Sequence, residues 1–131
     1  MYWIKIFSVS YMGRMIEFQN GCLAILKDYN EIKLYPEFDS AGNFVNGEWL
    51  HIAVTFNNLQ LKIYINSINK VTKSFTLQCD AYQTAYIGHT NLNREDLHAV
   101  IDELKIFDRY LSAEEIAAEM NTKEPFITFK I

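Results

Sequence analysis

One acidic residue of this chain occupies a position from which it could bind a metal ion. Asp102 lies in a largely apolar stretch, residues 99–107, whose composition is typical of a β-strand. Side chains two residues apart in a strand point to the same face, and the residues that share the face of Asp102 are apolar, namely Val100, Leu104 and Ile106. Asp102 is therefore expected to point into the protein, where a carboxylate must be hydrogen-bonded, paired or bound to a metal.

Calcium prefers oxygen ligands, and the loop before this strand supplies them at Asn91, Asn93 and Asp96. One interpretation is therefore a calcium site that contains Asp102 and Asp96, with help from the two asparagines. The alternative is a structural carboxylate that accepts hydrogen bonds from loop amides or pairs with an arginine.

A second group of side chains has the chemistry of a sugar-binding surface, which needs exposed aromatic rings beside polar loop groups. The candidates are Tyr29, Asn43, Asn91 and Asn93, together with Tyr35, Tyr82 and Tyr110. The alternative is that the eight tyrosines are core and strand-face residues, as aromatic residues commonly are in β-proteins.

The sequence contains no recognisable catalytic motif. Glycosidases need two neighbouring carboxylates, yet the positions two residues from Asp102 are Val100 and Leu104. Serine-histidine-aspartate sets, glycine-rich phosphate loops and zinc spacings are also missing, and a lone strand histidine such as His51 is typical of a packed residue. We therefore expect a protein that is not an enzyme.

Composition bounds the class of protein and its partners. A chain of 131 residues, half of them hydrophobic, is expected to form one domain over residues 1–131. The twelve basic residues are scattered and the net charge is −4, which argues against nucleic acid as a partner. No stretch is long and apolar enough for membrane insertion.

Cys22 and Cys79 could form one disulfide or stay as two free thiols packed as small apolar side chains, and the second interpretation is favoured.

The elements follow from the alternation of apolar and polar residues. Residues 48–65 form two alternating runs hinged on Asn57-Asn58, which predicts a hairpin. Shorter alternating runs occur before and after it, at 2–9, 12–18, 22–26, 31–35, 71–77, 85–89, 99–107 and 126–131. A serine at 112 followed by Glu115 forms a capping box and predicts one short helix near residues 112–120. We therefore expect an all-β fold, an antiparallel two-sheet sandwich with one short C-terminal helix.

Five motifs follow one another along these elements: Trp-Leu-His-Ile-Ala-Val at 49–54, Leu-Lys-Ile-Tyr-Ile-Asn at 61–66, Tyr-Ile-Gly at 86–88, Ile-Asp-Glu-Leu-Lys-Ile-Phe at 101–107 and Leu-Ser-Ala-Glu-Glu-Ile at 111–116. In this order they resemble the laminin G-like, or concanavalin A-like, jelly-roll family. The resemblance implies a non-catalytic binding or adhesion module that recognises carbohydrate or protein through its loops, with calcium as a candidate cofactor. It also implies an extracellular or cell-surface location within a longer protein.

The chain departs from the family pattern in two places. Family members usually carry an opening segment before the strand that resembles Tyr-Trp-Ile-Lys at 2–5, and this segment often completes their metal site, so the structural interpretation of Asp102 is favoured. Ser67 also stands where the family usually has glycine. An open sheet edge would need completion by upstream sequence, by residues 126–131 or by a partner chain. The alternative function is therefore a structural or assembly module that docks within a larger protein or complex.

Overall fold

The computed structural model describes residues 1–7, 12–18, 22–57, 59–74, 84–88 and 97–122. Over these residues it contains ten strands and one helix. The strands are β1 Tyr2–Ile6, β2 Met12–Phe18, β3 Ala24–Asp28, β4 Glu31–Tyr35, β5 Asp39–Asn43, β6 Trp49–Asn57, β7 Gln60–Ile65, β8 Ile68–Ser74, β9 Ala85–Ile87 and β10 Ala99–Asp102, and the helix is α1 Ala113–Asn121. Among the described residues, no helix is long and apolar enough to cross a membrane.

The strands form two antiparallel sheets of five strands each, which confirms the predicted all-β sandwich. The first sheet has the strand order β10-β1-β6-β7-β8, and the second has the order β5-β4-β3-β2-β9. Contacts of β5 with β7 and β8 place these edges of the two sheets together. Strands β9 and β10 therefore lie at the opposite side of the sandwich.

The core lies between the sheets and is built by alternation. In β6, Leu50 and Ile52 point into it, and Ile65 of β7 lies opposite Ile52 across the predicted hairpin. The Asn57 side-chain oxygen accepts hydrogen bonds from the amides of Leu59 and Gln60, which holds the hairpin turn; Asn58 lies outside the described residues. The second sheet supplies the facing apolar residues, including Met15, Leu23, Ile25, Ile32 and Leu34.

The turn between β7 and β8 explains how serine replaces the expected glycine. Asn66 and Ser67 both adopt positive φ, 50° and 64°, the left-handed conformation that glycine favours but that asparagine also tolerates. The Asn66 side chain is further held because its oxygen accepts the amide of His51. The tight turn is therefore kept without glycine.

Helix α1 covers the outer face of the first sheet. The predicted capping box is confirmed, because the Ser112 hydroxyl accepts the amide of Glu115 while the Glu115 carboxylate accepts the amide of Ser112. Leu111 and the fully buried Ile116 pack against Ala53 and Tyr64 of the sheet. The capping box thus starts the helix and these apolar contacts dock it.

One strand was not predicted, and the favoured interpretation of Cys22 was wrong. No strand was predicted between the runs 31–35 and 48–65, but β5 Asp39–Asn43 pairs with β4 across a bulge. Its sequence has low β-propensity and a single buried residue, Ala41, so the alternation signal was weak. Cys22 is disulfide-bonded rather than free; the chain has two cysteines, and Cys79, like the predicted strand at 126–131, lies outside the described residues.

The expected inward orientation of Asp102 was also wrong. Asp102 is exposed, because it pairs with Trp3 on the outer face of the first sheet, while Ala99 and Ile101 pack against the core. Glu103 has a φ of 51° and is one residue more than the register with β1 allows. Asp102 pairs with Trp3, so Leu104 would be expected opposite Met1, but the backbone hydrogen bonds join Met1 to Lys105. Val100, Leu104 and Ile106 are exposed like Asp102, so the apolar face of this stretch, which was expected to face the core, is its exposed face.

Candidate functional site

The structure brings together part of the predicted ligand-binding set. Tyr29 lies in the turn between β3 and β4, 59% exposed, and Asn43 ends β5 opposite Glu31 at the same end of the second sheet. Asn91 and Asn93 lie outside the described residues. Tyr29 and Asn43 are thus neighbours in the fold, and their role in binding stays a prediction.

The predicted calcium site is not assembled by the residues that the structure describes. Asp102 lies at the edge of the first sheet, where its Oδ1 accepts the amide of Glu103, while Asp96 lies outside the described residues. In the part of the chain that is described, no group of three or more histidine, cysteine, aspartate or glutamate residues could hold a metal ion. Calcium binding therefore stays a prediction that depends on the loop 89–96.

A polar site lies on the outer face of the second sheet, where pairing across four strands aligns one row of side chains. Glu17 of β2 is directly opposite Ala24 of β3 on one side and Tyr86 of β9 on the other, and Ala24 is opposite Tyr35 of β4. Neighbouring strands are about 4.8 Å apart, which places the two tyrosines about 14 Å from each other along the row. Arg14 lies in the adjacent row, opposite Leu26. We call Arg14, Glu17, Tyr35 and Tyr86 the polar face.

A β-bulge in β2 creates this arrangement. The pairing of β2 with β3 shifts between Arg14 and Ile16, so that Met15 is the extra residue and both Met15 and Ile16 contact the core. Arg14 and Glu17, three residues apart, consequently lie on the same outer face. Strict alternation would have put them on opposite faces, which is why sequence analysis missed both. The available signal in the sequence was a pair of adjacent apolar residues, Met15 and Ile16, between the charged residues Arg14 and Glu17.

Burial makes the polar face chemically unusual. Arg14 and Glu17 are only 9% and 8% exposed, and the buried Glu17 Oε2 atom has no hydrogen-bond partner in the part of the chain that the structure describes. An unsatisfied buried acceptor costs about 1–3 kcal/mol, and more when it is charged. The Arg14 guanidinium carbon lies 4.9 Å from the centre of the Tyr35 ring, in a cation–π contact. Phe38 meets the same ring edge-on at 5.6 Å.

The polar face therefore offers two half-buried tyrosine rings with a hydrogen-bond acceptor between them. Sugar rings present apolar faces that stack on aromatic rings and hydroxyls that donate hydrogen bonds, so the arrangement fits a saccharide. The cross-strand neighbours of Glu17 are Ala24 and Tyr86, so the pairing brings no second carboxylate beside it of the kind that glycosidases require.

His51 lies on the outer face of the first sheet, away from the polar face. It is 2% exposed and packs edge-on against the Trp3 ring at 5.1 Å. Burial lowers the pKa of His51 to about 4, and the nearby N-terminal amine and Lys105 add to the effect. The side chain is thus held neutral in a packed position.

A laminin G family model, described as the concanavalin A-like lectin/glucanases superfamily, matches residues 2–117. No curated protein matches the chain. Among solved structures, a Trypanosoma rangeli sialidase mutant with trans-sialidase activity has a TM-score of 0.75 and 14% identity, and the match covers 94% of this chain and 23% of that one.

Two botulinum neurotoxin structures are also similar. The type G receptor-binding domain has a TM-score of 0.67 and 16% identity, covering 91% of this chain and 36% of that one. A type C toxin structure, whose cell entry depends on two ganglioside molecules, has a TM-score of 0.66 and 20% identity, covering 92% and 34%. The chain thus spans between about a quarter and about a third of these proteins, and at such identities the likeness concerns the fold alone.

Proposed function

Since this chain belongs to the laminin G-like family of the concanavalin A-like lectin/glucanase superfamily, we propose that it is a non-catalytic binding module that holds a saccharide on its polar face. The proposal extends the expected binding surface from the Tyr29 end of the second sheet to the middle of its outer face. Both regions lie on one sheet, so a single extended ligand could contact them together.

The observation that supports the proposal most strongly is the Glu17 carboxylate. Its Oε2 atom is buried between Tyr35 and Tyr86 and has no hydrogen-bond partner among the described residues. Because this atom has almost no exposed surface, a ligand hydroxyl reaches it only when side chains of the polar face move aside, and the hydrogen bond then recovers the cost of its desolvation. The two rings would supply the apolar contact that orients the sugar. Arg14, next to Tyr35, adds a positive charge that suits an acidic sugar or a hydroxyl.

The ligands of some structural neighbours agree with this proposal. The neighbours include a sialidase in complex with 2,3-difluorosialic acid and a toxin whose cell entry depends on two ganglioside molecules. One further neighbour is a toxin binding domain in complex with synaptotagmin, which is a protein ligand. Carbohydrate is favoured here because of the chemistry of the polar face, and a protein ligand is the alternative.

The proposed module acts by binding rather than by catalysis. Most glycosidases hold two carboxylates across the sugar, whereas the residues that pair with Glu17 are Ala24 and Tyr86; release of sugar is therefore included as an outcome of the test below. We also propose an extracellular or cell-surface location, because the disulfide at Cys22 is the kind of bond that persists in oxidising compartments.

Glycan-array binding followed by titration calorimetry tests the proposal. Glu17→Gln removes the charge that accepts the ligand hydroxyl and should weaken binding about tenfold or more, because hydrogen bonds to charged groups contribute about 1.5–3 kcal/mol. Tyr86→Ala should weaken it as well by removing a stacking ring. Glu48→Gln, which changes an exposed acid immediately before β6 of the first sheet, is the matched control and should bind normally.

Two results would contradict the proposal. The first is a glycan ligand whose affinity is the same for the wild type and for Glu17→Gln. The second is release of reducing sugar from any bound glycan, which would mean that the protein is an enzyme. Glu17→Gln keeps the size of the side chain, so thermal unfolding of both proteins shows whether a loss of binding is accompanied by a loss of stability.

A further inference from the structure

Helix α1 covers only one end of the outer face of the first sheet, where it packs on Ala53 and Tyr64. At the other end, the outward side chains of three neighbouring strands remain in solvent. Trp49 of β6 is 43% exposed, Val100 of β10 is 47% exposed, and Phe7, immediately after β1, is 54% exposed. Single apolar residues on a surface need no explanation, but a contiguous group of large ones marks a surface that binds a partner.

Pairing across the strands makes this group contiguous. Lys5 of β1 is directly opposite Trp49 on one side and Val100 on the other, and neighbouring strands are about 4.8 Å apart. Because Tyr2, Ile4 and Ile6 point into the core, Trp3 and Phe7 share the outer face with Lys5, and Asp102 is opposite Trp3. We call these six residues the aromatic face: Trp3, Lys5, Phe7, Trp49, Val100 and Asp102.

The aromatic face carries one positive and one negative group, on opposite sides of β1. The Lys5 ammonium lies 5.0 Å from the centre of the Trp49 ring, towards β6, whereas Asp102 belongs to β10. Neither of them forms an ion pair within the part of the chain that the structure describes. A uniformly charged partner, such as an acidic peptide or an anionic membrane, would be attracted by one of these groups and repelled by the other. The face therefore suits a partner that also carries one charge of each sign.

We infer that the aromatic face binds the same face of a second copy of this chain. A two-fold symmetric interface uses one surface patch twice, so the patch must be complementary to itself. A two-fold axis that lies in the interface, midway between Lys5 and Asp102, sets the ammonium of each copy opposite the carboxylate of the other. The exposed part of Trp49 is then removed from water near the centre of the contact, the place where tryptophan contributes most to binding.

The size of the aromatic face sets the strength of this contact, and its position sets the shape of the dimer. The face extends about 10 Å across three strands and about 14 Å along β1, which is at the low end for protein interfaces, so the dimer should form reversibly. With the first sheets in contact, the second sheets of the two copies face in opposite directions. Two polar faces would then bind a multivalent glycan more tightly than one; this consequence rests on the proposed function, whereas the dimer itself does not.

Exchange of the two charges tests the inference without any saccharide. Sedimentation equilibrium of the full chain, from low to high micromolar concentration, should show a dimer fraction that rises with concentration. Lys5→Glu or Asp102→Lys alone should weaken the dimer about tenfold or more, because each change sets like charges opposite each other at two symmetric places. The two changes together should restore most of the affinity, since opposite charges face each other again. Lys70→Glu, which changes an exposed lysine at the far edge of the same sheet, is the matched control and should leave the dimer unchanged.

Removal of the central aromatic ring provides a second measurement. Trp49→Ser should leave a monomer at every concentration, whereas Leu59→Ser, which removes a 77% exposed apolar side chain in the turn between β6 and β7, should dimerise like the wild type. Both positions are exposed, and a circular dichroism melt of each variant verifies that it is folded. A wild type that stays monomeric throughout would mean that the aromatic face binds a different partner and would overturn the inference. A dimer that persists unchanged in Trp49→Ser and in Lys5→Glu would overturn it too, because the copies would then meet through another surface.

Discussion

The pH dependence of stability should depend strongly on His51. This imidazole is buried against Trp3, and burial lowers its pKa from 6.5 to about 4. Above pH 6.5 it is neutral in both the folded and the unfolded chain. As the pH falls from 6.5 to 4, the unfolded chain binds a proton that the folded chain does not, so the free energy of unfolding decreases. Below about pH 4 this contribution levels off.

The size of the change in the free energy of unfolding follows from the shift in the pKa of His51. One pKa unit corresponds to about 1.4 kcal/mol, so the full depression amounts to roughly 3 kcal/mol between pH 6.5 and pH 4. That is a large part of the 5–15 kcal/mol or so that stabilises a typical domain. Carboxylates also titrate near the lower end of this range, so the wild type alone would not isolate the contribution of His51.

The variant His51→Phe isolates the contribution of His51 to the pH dependence, because phenylalanine keeps an aromatic edge on Trp3 and cannot bind a proton. Urea unfolding followed by tryptophan fluorescence at several pH values gives the free energy of unfolding for both proteins. The difference between them should change by about 2–3 kcal/mol from pH 7 to pH 4, with the wild type losing more. His98→Gln, which removes an exposed imidazole, should follow the wild type. Parallel curves for the wild type and His51→Phe would refute this account of the buried imidazole.

Three further outcomes follow from the packing and from the disulfide. Ile116→Ala should lower the free energy of unfolding by about 3 kcal/mol, because it empties a fully buried position under α1; thermal unfolding of this variant beside the exposed Ala118→Ser measures it. Ser112→Ala should cost about 1 kcal/mol through loss of the helix cap, and a circular dichroism melt unchanged from wild type would contradict this. Reduction of the Cys22 disulfide should cost about 4 kcal/mol, since the bond closes a loop of more than fifty residues; reductant should lower the melting temperature of the wild type but not that of Cys22→Ser.

The fold was predictable wherever alternation runs without interruption. Strands β6 and β7 keep strict alternation, so Leu50, Ile52 and Ile63 were assigned correctly to the core. The helix was predictable because its capping box uses a local, sequence-specific pair of hydrogen bonds. The order of the five motifs then identified the family, since each motif marks one element of the sandwich.

The candidate sites were less predictable for two reasons. One extra residue at Met15 brings Arg14 and Glu17 to the same face, and in the stretch that carries Asp102 the apolar residues Val100 and Leu104 are exposed, so hydrophobicity did not mark the core side. A bulge is stabilised by pairing across strands, which a single sequence does not display. The pairing of Cys22 was equally hidden, because connectivity depends on distance in the fold.

Strand β2 lies between the polar face and an apolar cleft at the edge of the sandwich. Its Ile16 and Phe18 side chains line the cleft, while Glu17 between them faces outward between Tyr35 and Tyr86. Because well-packed neighbours restrict the movement of a strand, the packing of Phe18 behind Glu17 should hold the polar face in the geometry that a rigid sugar requires. Phe18→Ala should consequently weaken saccharide binding although Phe18 does not lie on the polar face, and a variant that binds saccharide as tightly as the wild type would show that the two surfaces are independent.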